Sequence, residues 1–301
     1  MRVLVTGASG YIGGAVLPEL LRAGHQVVGL ARSDAAAAKV RAAGAEVLRG
    51  SLQDLDVLRA GASAADGVIH LAFNDFFRFE ESLGIDRRAI ETMGAALAGS
   101  GRPLVATAAV APGGAPGELS TEDTRTSPGA FGYTRFLNEE AAIALADQDV
   151  RASVVRLPPT VHGPDDRAFV PVLIGIARER GVAGYPGDGA NVWPAVHRFD
   201  AARLYRLALE GAPAGSRLQG MADEGVPTRE IAEVIGRHLS LPTASVPLAD
   251  VQEHFGFLSH VITMDVPVSS EKTRALLGWE PVHPGLIADL EEGHYFAPAR
   301  P

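Results

Sequence analysis

Three glycines near the start of the chain have a spacing that suits phosphate binding. They lie in the segment 6–13, which reads TGASGYIG and follows a short apolar run. We therefore expect a turn from a strand into a helix N-terminus, where backbone amides can receive a pyrophosphate. The turn predicts a dinucleotide site, whose first contacts would come from Gly7, Ser9, Gly10, Tyr11, Ile12 and Gly13.

The end of the second apolar run indicates which dinucleotide binds. Residues 28–33 read VGLARS, so no carboxylate stands at the predicted strand tip to bind a ribose 2′-hydroxyl. Arg32 is placed instead to meet a 2′-phosphate, which favours NADP(H) over NAD(H). The alternative is that Arg32 is a solvated surface charge, and Asp34 lies near enough to oppose the preference. Further contacts to adenine and ribose are expected at Ser51, Leu52, Leu71 and Ala72.

Aromatic and histidine residues are candidates for a substrate pocket. Phe73 and Phe77 belong to an aromatic cluster after the fourth apolar run, where they would suit an apolar substrate or simply pack a loop onto the core. An imidazole titrates near neutral pH, so His162 would be a proton donor if it faced the cofactor cleft. No metal is predicted, because the histidine spacing does not match a helix-borne zinc motif. The remaining pocket candidates are Tyr185, Trp193 and His197.

The elements that must position these residues follow from the apolar pattern. Runs that read as strands alternate with segments of helical periodicity, which predicts an α/β, Rossmann-type doubly wound parallel sheet. We expect residues 1–157 to form the NADP-binding core. Residues 158–301 would form mainly a smaller C-terminal substrate-binding region, with some segments returning to the core. The predicted strands are 3–5, 26–30, 46–48, 68–71, 104–107 and 153–157, and the predicted helices are 12–23, 34–43, 54–60, 85–99 and 131–147.

Composition excludes several classes of function. The net charge of −9, without a basic run, argues against nucleic-acid binding. The chain has no cysteine, so disulfides, thiolate catalysis and sulfur-ligated metals are excluded. No apolar run reaches membrane-spanning length, and we expect a cytoplasmic protein that acts on a small molecule.

Several motifs together resemble the short-chain dehydrogenase/reductase superfamily, specifically its atypical or extended, epimerase/dehydratase-like branch. This resemblance implies NAD(P) binding, and it implies a possible homodimer that pairs through the helices predicted at 85–99 and 131–147. Besides the glycine turn, the matching segments are HLA at 70–72, RLPPTVHGP at 156–164, AVHRFD at 195–200 and SEKTRALLGWEP at 270–281.

The proton relay of that family is not retained here. The family uses a Tyr, a Lys four residues later, a Ser or Thr, and an Asn. The matching positions hold groups that cannot reproduce the relay, because a phenyl ring has no exchangeable proton and a guanidinium stays charged. These residues are Phe131, Arg135, Ala109 or its neighbour Ala108, and Asp86.

Other residues could take over parts of that relay. Tyr133 would be the phenol if the register shifted by two, although Leu137 then occupies the lysine position. Arg135 is expected at the cofactor and Phe131 at the substrate, in line with the positions they match. Asp86 and Arg135 carry opposite charges, so we expect a partly buried ion pair between them, more structural than catalytic. A catalytic carboxylate at Asp86 is the alternative.

These features favour an NADP(H)-dependent oxidoreductase of the atypical short-chain type, acting on a small and largely apolar organic molecule. Proton delivery would come from water, Tyr133 or His162. A non-redox isomerase, lyase or cyclase on the same fold is the first alternative, because the relay groups are lost. A non-catalytic nucleotide-sensing protein is the second, although the retained pocket-forming region counts against it.

Overall fold

The computed structural model of the protein describes residues 1–73, 78–110, 117–129 and 132–297. Its centre is a seven-stranded sheet in which all neighbouring strands are parallel. These strands are β1 (Arg2–Thr6), β2 (Gln26–Ala31), β3 (Glu46–Arg49), β4 (Gly67–His70), β5 (Pro103–Ala109), β6 (Arg151–Leu157) and β10 (Ser216–Gln219).

The strand order in this sheet is β10-β6-β5-β4-β1-β2-β3. The order changes direction at β1, which lies between β4 and β2, and this is where open α/β sheets bind their ligands. The predicted doubly wound Rossmann-type fold is confirmed, and each of the six predicted runs is a strand. β10 comes from the part of the chain beyond residue 157 and pairs with β6 at the edge of the sheet.

Helices cover both faces of the sheet. On one face, α1 (Gly13–Arg22) and α7 (Arg198–Gly211) enclose a core that includes Leu17, Leu20 and Tyr205. On the other face, Leu58 and Met93 lie in the core beneath α3 (Leu55–Ser63) and α4 (Phe79–Leu97). The helices of the N-terminal part are α1 (Gly13–Arg22), α2 (Asp34–Ala42), α3 (Leu55–Ser63), α4 (Phe79–Leu97) and α5 (Tyr133–Ile143), the last continued by a 3-10 helix at Ala144–Gln148.

The C-terminal region adds two small sheets around a core of its own. Its helices are α6 (Phe169–Arg180), α7 (Arg198–Gly211), α8 (Thr228–Leu239), α9 (Val251–Phe255), α10 (Ser259–Ile262), α11 (Glu271–Leu277) and α12 (Leu286–Glu291), with a 3-10 helix at Gly256–Leu258. Its strands are β7 (Thr160–His162), β8 (Ala183–Pro186), β9 (Val192–His197), β11 (Asp223–Pro227) and β12 (Thr243–Val246), in the orders β11-β9-β7 and β12-β8.

Helix α4 starts earlier than the pattern predicts, at Phe79 rather than at residue 85. Glu80 and Glu81 lie in its first turn, where acidic side chains favour a helix N-terminus. Within the described ranges, no helix combines the length and the apolar character that crossing a membrane would require.

Candidate functional site

The predicted glycine turn joins β1 to α1 and leaves room only for glycine at its key positions. Gly7 has a φ of +67°, and a Cβ there would lie 2.8 Å from the backbone nitrogen of Ala72. A Cβ on Gly13 would lie 2.2 Å from the carbonyl oxygen of Gly7. The turn therefore brings β1, α1 and the end of β4 into close contact, as a pyrophosphate-binding turn requires.

Some backbone amides of the glycine turn have no hydrogen-bond acceptor among the described residues. The amide of Gly10 donates to the carbonyl of Gly7 at 2.9 Å. The amides of Tyr11 and Ile12 have no hydrogen-bond acceptor among the described residues, because α1 begins only at Gly13. Unpaired amides at a helix N-terminus bind anions, so the residues present fit a dinucleotide pyrophosphate.

The ends of β2 and β3 carry the residues that bear on the choice of dinucleotide. Arg32 directly follows β2, is exposed, and forms no hydrogen bond or ion pair within the described parts of the chain. Asp34, the acidic residue that could oppose a phosphate, is bound by Arg49 from the end of β3, with 3.1 Å between Nη2 and Oδ1. The side chain of Ser33 caps α2 by accepting from the amide of Ala36.

The predicted adenosine contacts lie in two different settings. Leu52 is buried in the core, whereas Ser51 donates from both its amide and its hydroxyl to Asp54, and so forms a tight turn after β3. Leu71 and Ala72 follow β4 and are partly buried beside Gly7. All four residues therefore lie at the carboxyl edge of the sheet, and their contacts to adenine and ribose stay a prediction.

A chain of buried polar groups lies under this edge. The hydroxyl of Thr6, the last residue of β1, is 2.6 Å from Nδ1 of His70, the last residue of β4. Nε2 of His70 is 2.9 Å from Oδ1 of Asp86, and Nδ2 of Asn138 donates to Oδ2 of Asp86 at 2.8 Å. Burial opposes ionisation of Asp86, but its hydrogen bonds and the charge of Arg135 outweigh burial and lower the pKa.

The ion pair expected between Asp86 and Arg135 is not formed. Both oxygens of Asp86 are engaged by His70 and Asn138, and Arg135 contributes only through its charge. The guanidinium of Arg135 lies instead over the ring of Phe73, at 4.6 Å from its centroid. Its Nε and Nη1 atoms are buried without a hydrogen-bond partner, and burial lowers the pKa of the group.

Arg135 and Phe73 are therefore brought together, one at the start of α5 and the other just after β4. Tyr133 is the first residue of α5 and is half-buried, and its ring packs at 6.2 Å from that of Phe136. The hydroxyl of Tyr133 has no hydrogen-bond partner within the described ranges. Its role as an acid stays a prediction. Phe77 and Phe131 lie outside the described residues.

Of two pocket candidates in the C-terminal region, Trp193 is packed inside the protein and Tyr185 is half-buried. Trp193 is fully buried, its indole nitrogen donates to the carbonyl of Val261, and its ring lies 6.2 Å from that of Phe169. It is a core residue, because a large ring with its one donor satisfied is most stable when enclosed. Tyr185 is half-buried beneath the guanidinium of Arg229, at 5.0 Å from its centroid. The structure does not bring it to the glycine turn.

His162 and His197 lie together in a buried histidine cluster. His162 has no exposed surface, so it does not line an open cleft, and its Nδ1 is 2.8 Å from Oδ2 of Asp289. The ring of His197 lies edge-on to that of His162 at 5.4 Å and stacks on His283 at 4.7 Å. Burial first, and the charges of these two neighbours next, lower the pKa of His197 to about 4.

Gly163, the residue after His162, connects this region to the glycine turn. The hydroxyl of Tyr11 donates to the carbonyl of Gly163, and the amide of Gly163 donates to the hydroxyl of Tyr295. Near it, Asp289, Glu292 and His294 place potential ligand atoms within 4.8 Å of one another. Asp289 already bonds to two histidines, and the expectation of no metal stays a prediction.

Sequence reasoning missed the partners of the buried carboxylate. Thr6 and His70 were visible as the last residues of two strands, and neighbouring parallel strands end at the same edge of a sheet. That signal would have placed them together. Asn138 gave no comparable signal, since its contact with Asp86 depends on how α5 packs against α4.

The sequence and the fold resemble those of known proteins. A profile of the NAD dependent epimerase/dehydratase family matches residues 3–218. An uncharacterised protein of Schizosaccharomyces pombe is 48% identical over 98% of this chain and 100% of its own length. A 2-alkyl-3-oxoalkanoate reductase of Stenotrophomonas maltophilia is 27% identical over 77% of this chain and 73% of its own.

Among solved structures, the UDP-glucose 4-epimerase of Thermotoga maritima with UDP-glucose superposes with a TM-score of 0.78. The match covers 98% of each chain at 18% identity, which is a likeness of fold alone. The family profile covers the glycine turn, the buried carboxylate and the sheet through β10. The chain belongs to the NAD dependent epimerase/dehydratase family.

Proposed function

We propose that the protein is an NADP(H)-dependent oxidoreductase that acts on a small, largely apolar organic molecule. The observation that carries this proposal is the unpaired Arg32 directly after β2, beside a glycine turn with free amides. Arg49 supports the choice of NADP(H), because its positive charge, paired with the exposed Asp34, offsets part of the repulsion between that carboxylate and a 2′-phosphate. The relative named as a 2-alkyl-3-oxoalkanoate reductase supports a reduction.

The chain's own residues would hold the cofactor in three places. The amides of Tyr11 and Ile12 would bind the pyrophosphate, and Arg32 would bind the 2′-phosphate. Arg135 stands where the family has its lysine, and its unsatisfied donors suit the hydroxyls of the nicotinamide ribose. A bound reduced cofactor would supply a hydride.

The substrate would lie beside Phe73, whose ring offers apolar surface next to the charged guanidinium of Arg135. The proton would come from water or from Tyr133, since His162 is enclosed and bound to Asp289. We also propose that the protein forms a homodimer through α4 and α5 and that it is cytoplasmic. The second candidate is a non-redox isomerase, lyase or cyclase, which the fixed charge of Arg135 in place of a titratable lysine favours.

The test is equilibrium binding of NADPH, NADP⁺, NADH and NAD⁺ to the purified protein. Arg32→Ala should raise the Kd for NADPH by about tenfold to a hundredfold, as expected for the loss of a charge-assisted hydrogen bond, with NADH almost unaffected. Arg41→Ala, at the far end of α2, is the matched control and should change neither.

Selective NADPH binding would be followed by a screen of ketones and aldehydes for cofactor consumption. If Arg32→Ala keeps the wild-type preference, the phosphate assignment is wrong. If the wild-type protein binds no dinucleotide, the oxidoreductase proposal fails and the non-redox enzyme becomes the leading candidate.

A further inference from the structure

The buried chain from Thr6 to Asp86 has a single consistent arrangement of protons. The carboxylate of Asp86 is ionised, so Nε2 of His70 must be the protonated nitrogen that donates to it. Because the hydroxyl of Thr6 already accepts from a backbone amide, its own proton is satisfied only when it donates to Nδ1 of His70. The oxygen of Thr6 in turn accepts from the amide of Ala72 at 3.2 Å. Every group in the chain is satisfied, which buried polar groups require.

The last donor in this chain, the amide of Ala72, lies at the edge of the glycine turn. A Cβ on Gly7 would lie 2.8 Å from the amide nitrogen of Ala72 and 2.9 Å from the carbonyl carbon of Leu71. The backbone that Thr6 holds is therefore the backbone against which the glycine turn packs. Its position depends on a carboxylate in α4, because His70 and Asn138 bind two different oxygens of Asp86.

We propose that Thr6, His70 and Asp86 are positioning residues for the cofactor. They fix the ends of β1 and β4 so that the glycine turn is ready to bind before the dinucleotide arrives. This inference rests on the proposed function, since it concerns the same site. It adds that affinity for the cofactor depends on buried side chains that never touch it.

The test compares two threonines in matched surroundings. The hydroxyl of Thr6 donates to His70 and accepts from the amide of Ala72, and that of Thr273 donates to Glu122 and accepts from the amide of Gln219. Thr273 lies beside β10, which is four strands from β1 in the sheet order. Replacement by valine removes one buried hydroxyl with the same number of partners in each case.

Both valine variants should lower the thermal midpoint. Thr6→Val should also raise the Kd for NADPH by about tenfold, measured by cofactor fluorescence well below the midpoint, whereas Thr273→Val should stay within about twofold of the wild type. Thr6→Ser restores the hydroxyl and should recover most of the affinity. If Thr6→Val is too unstable to purify, the protonation of His70 in the wild-type protein decides the question.

A second readout does not depend on cofactor binding. Nitrogen NMR shifts of His70 should show a proton on Nε2 in the wild-type protein. A proton on Nδ1, or NADPH binding by Thr6→Val equal to that of Thr273→Val, would overturn the inference while leaving the proposed function intact. Failure of the wild-type protein to bind any dinucleotide would instead remove the proposed function itself.

Discussion

Asp86 is a buried carboxylate whose two oxygens accept from different elements, one from His70 on β4 and one from Asn138 on α5. Asp86→Asn offers one acceptor and one NH₂ group. Either two donors then face each other, or His70 takes its other tautomer and no longer accepts from the hydroxyl of Thr6. Asn138 cannot turn to relieve this, because its Nδ2 also donates to the carbonyl of Leu83. We expect the free energy of unfolding to fall by about 1–3 kcal/mol.

Urea denaturation measures this loss, with Asp147→Asn, an exposed change of the same charge, as the control. Unchanged stability together with lost turnover would identify Asp86 as a catalytic carboxylate and contradict the structural role.

The contacts of Asp86 could be predicted from the sequence only in part. Charge complementarity predicted an ion pair between Arg135 and Asp86. The pair is not formed, and Arg135 acts on Asp86 only by lowering the carboxyl pKa through its charge. Charge complementarity could not show that the hydrogen bonds of Asp86 go to His70, because sequence alone does not say which neighbour reaches a buried carboxylate first.

Helix α1 depends on its first residue for its position against β1. Gly13→Ala places a methyl group 2.2 Å from the oxygen of Gly7 and 2.7 Å from that of Ala8, so the helix must move away from the turn. We expect a loss of NADPH binding of at least tenfold and a lower thermal midpoint, on the order of 1–3 kcal/mol of stability.

Gly14→Ala is the control one residue along. Its Cβ would lie 3.5 Å from the flexible guanidinium end of Arg198, and alanine there should stabilise the helix by about 0.5–1 kcal/mol. Calorimetry and NADPH titration of both variants check the contrast. Equal stability and equal NADPH affinity of the two variants would show that NADPH binding does not require the close approach of α1 to β1 at Gly13.

The elements of the core were readable from sequence because buried parallel strands are continuous apolar runs. All six predicted runs became strands within two residues at each end. The small sheets of the C-terminal region were not predicted, because β7 and β11 are short, carry polar residues and pair with β9 across long stretches of chain.

Across the whole molecule, the histidine cluster should make stability depend on pH. Burial holds the pKa of His197 at about 4, whereas an unfolded histidine titrates near 6.5. Below pH 6.5 the unfolded state binds a proton that the folded state does not, so stability falls as the pH falls towards 4. For this residue the loss between pH 7.5 and pH 5 should be about 2 kcal/mol.

His197→Asn removes the titrating ring but keeps a side chain that can cap α7, as His197 does. Denaturation of both proteins at pH 7.5, 6 and 5 should show a smaller pH dependence in the variant. If stability depends on pH equally in the wild-type protein and in His197→Asn, groups other than His197 cause the loss of stability at low pH.

Strand β10 has a consequence for how the chain is made. β6 ends at Leu157 and every residue after its first is buried, yet the strand that covers its outer edge begins only at Ser216. At a synthesis rate of about 5–20 residues per second, the ribosome needs roughly 3–12 s to make the intervening segment. During that interval the nascent protein has an uncovered, apolar strand edge, the kind of surface on which neighbouring chains aggregate.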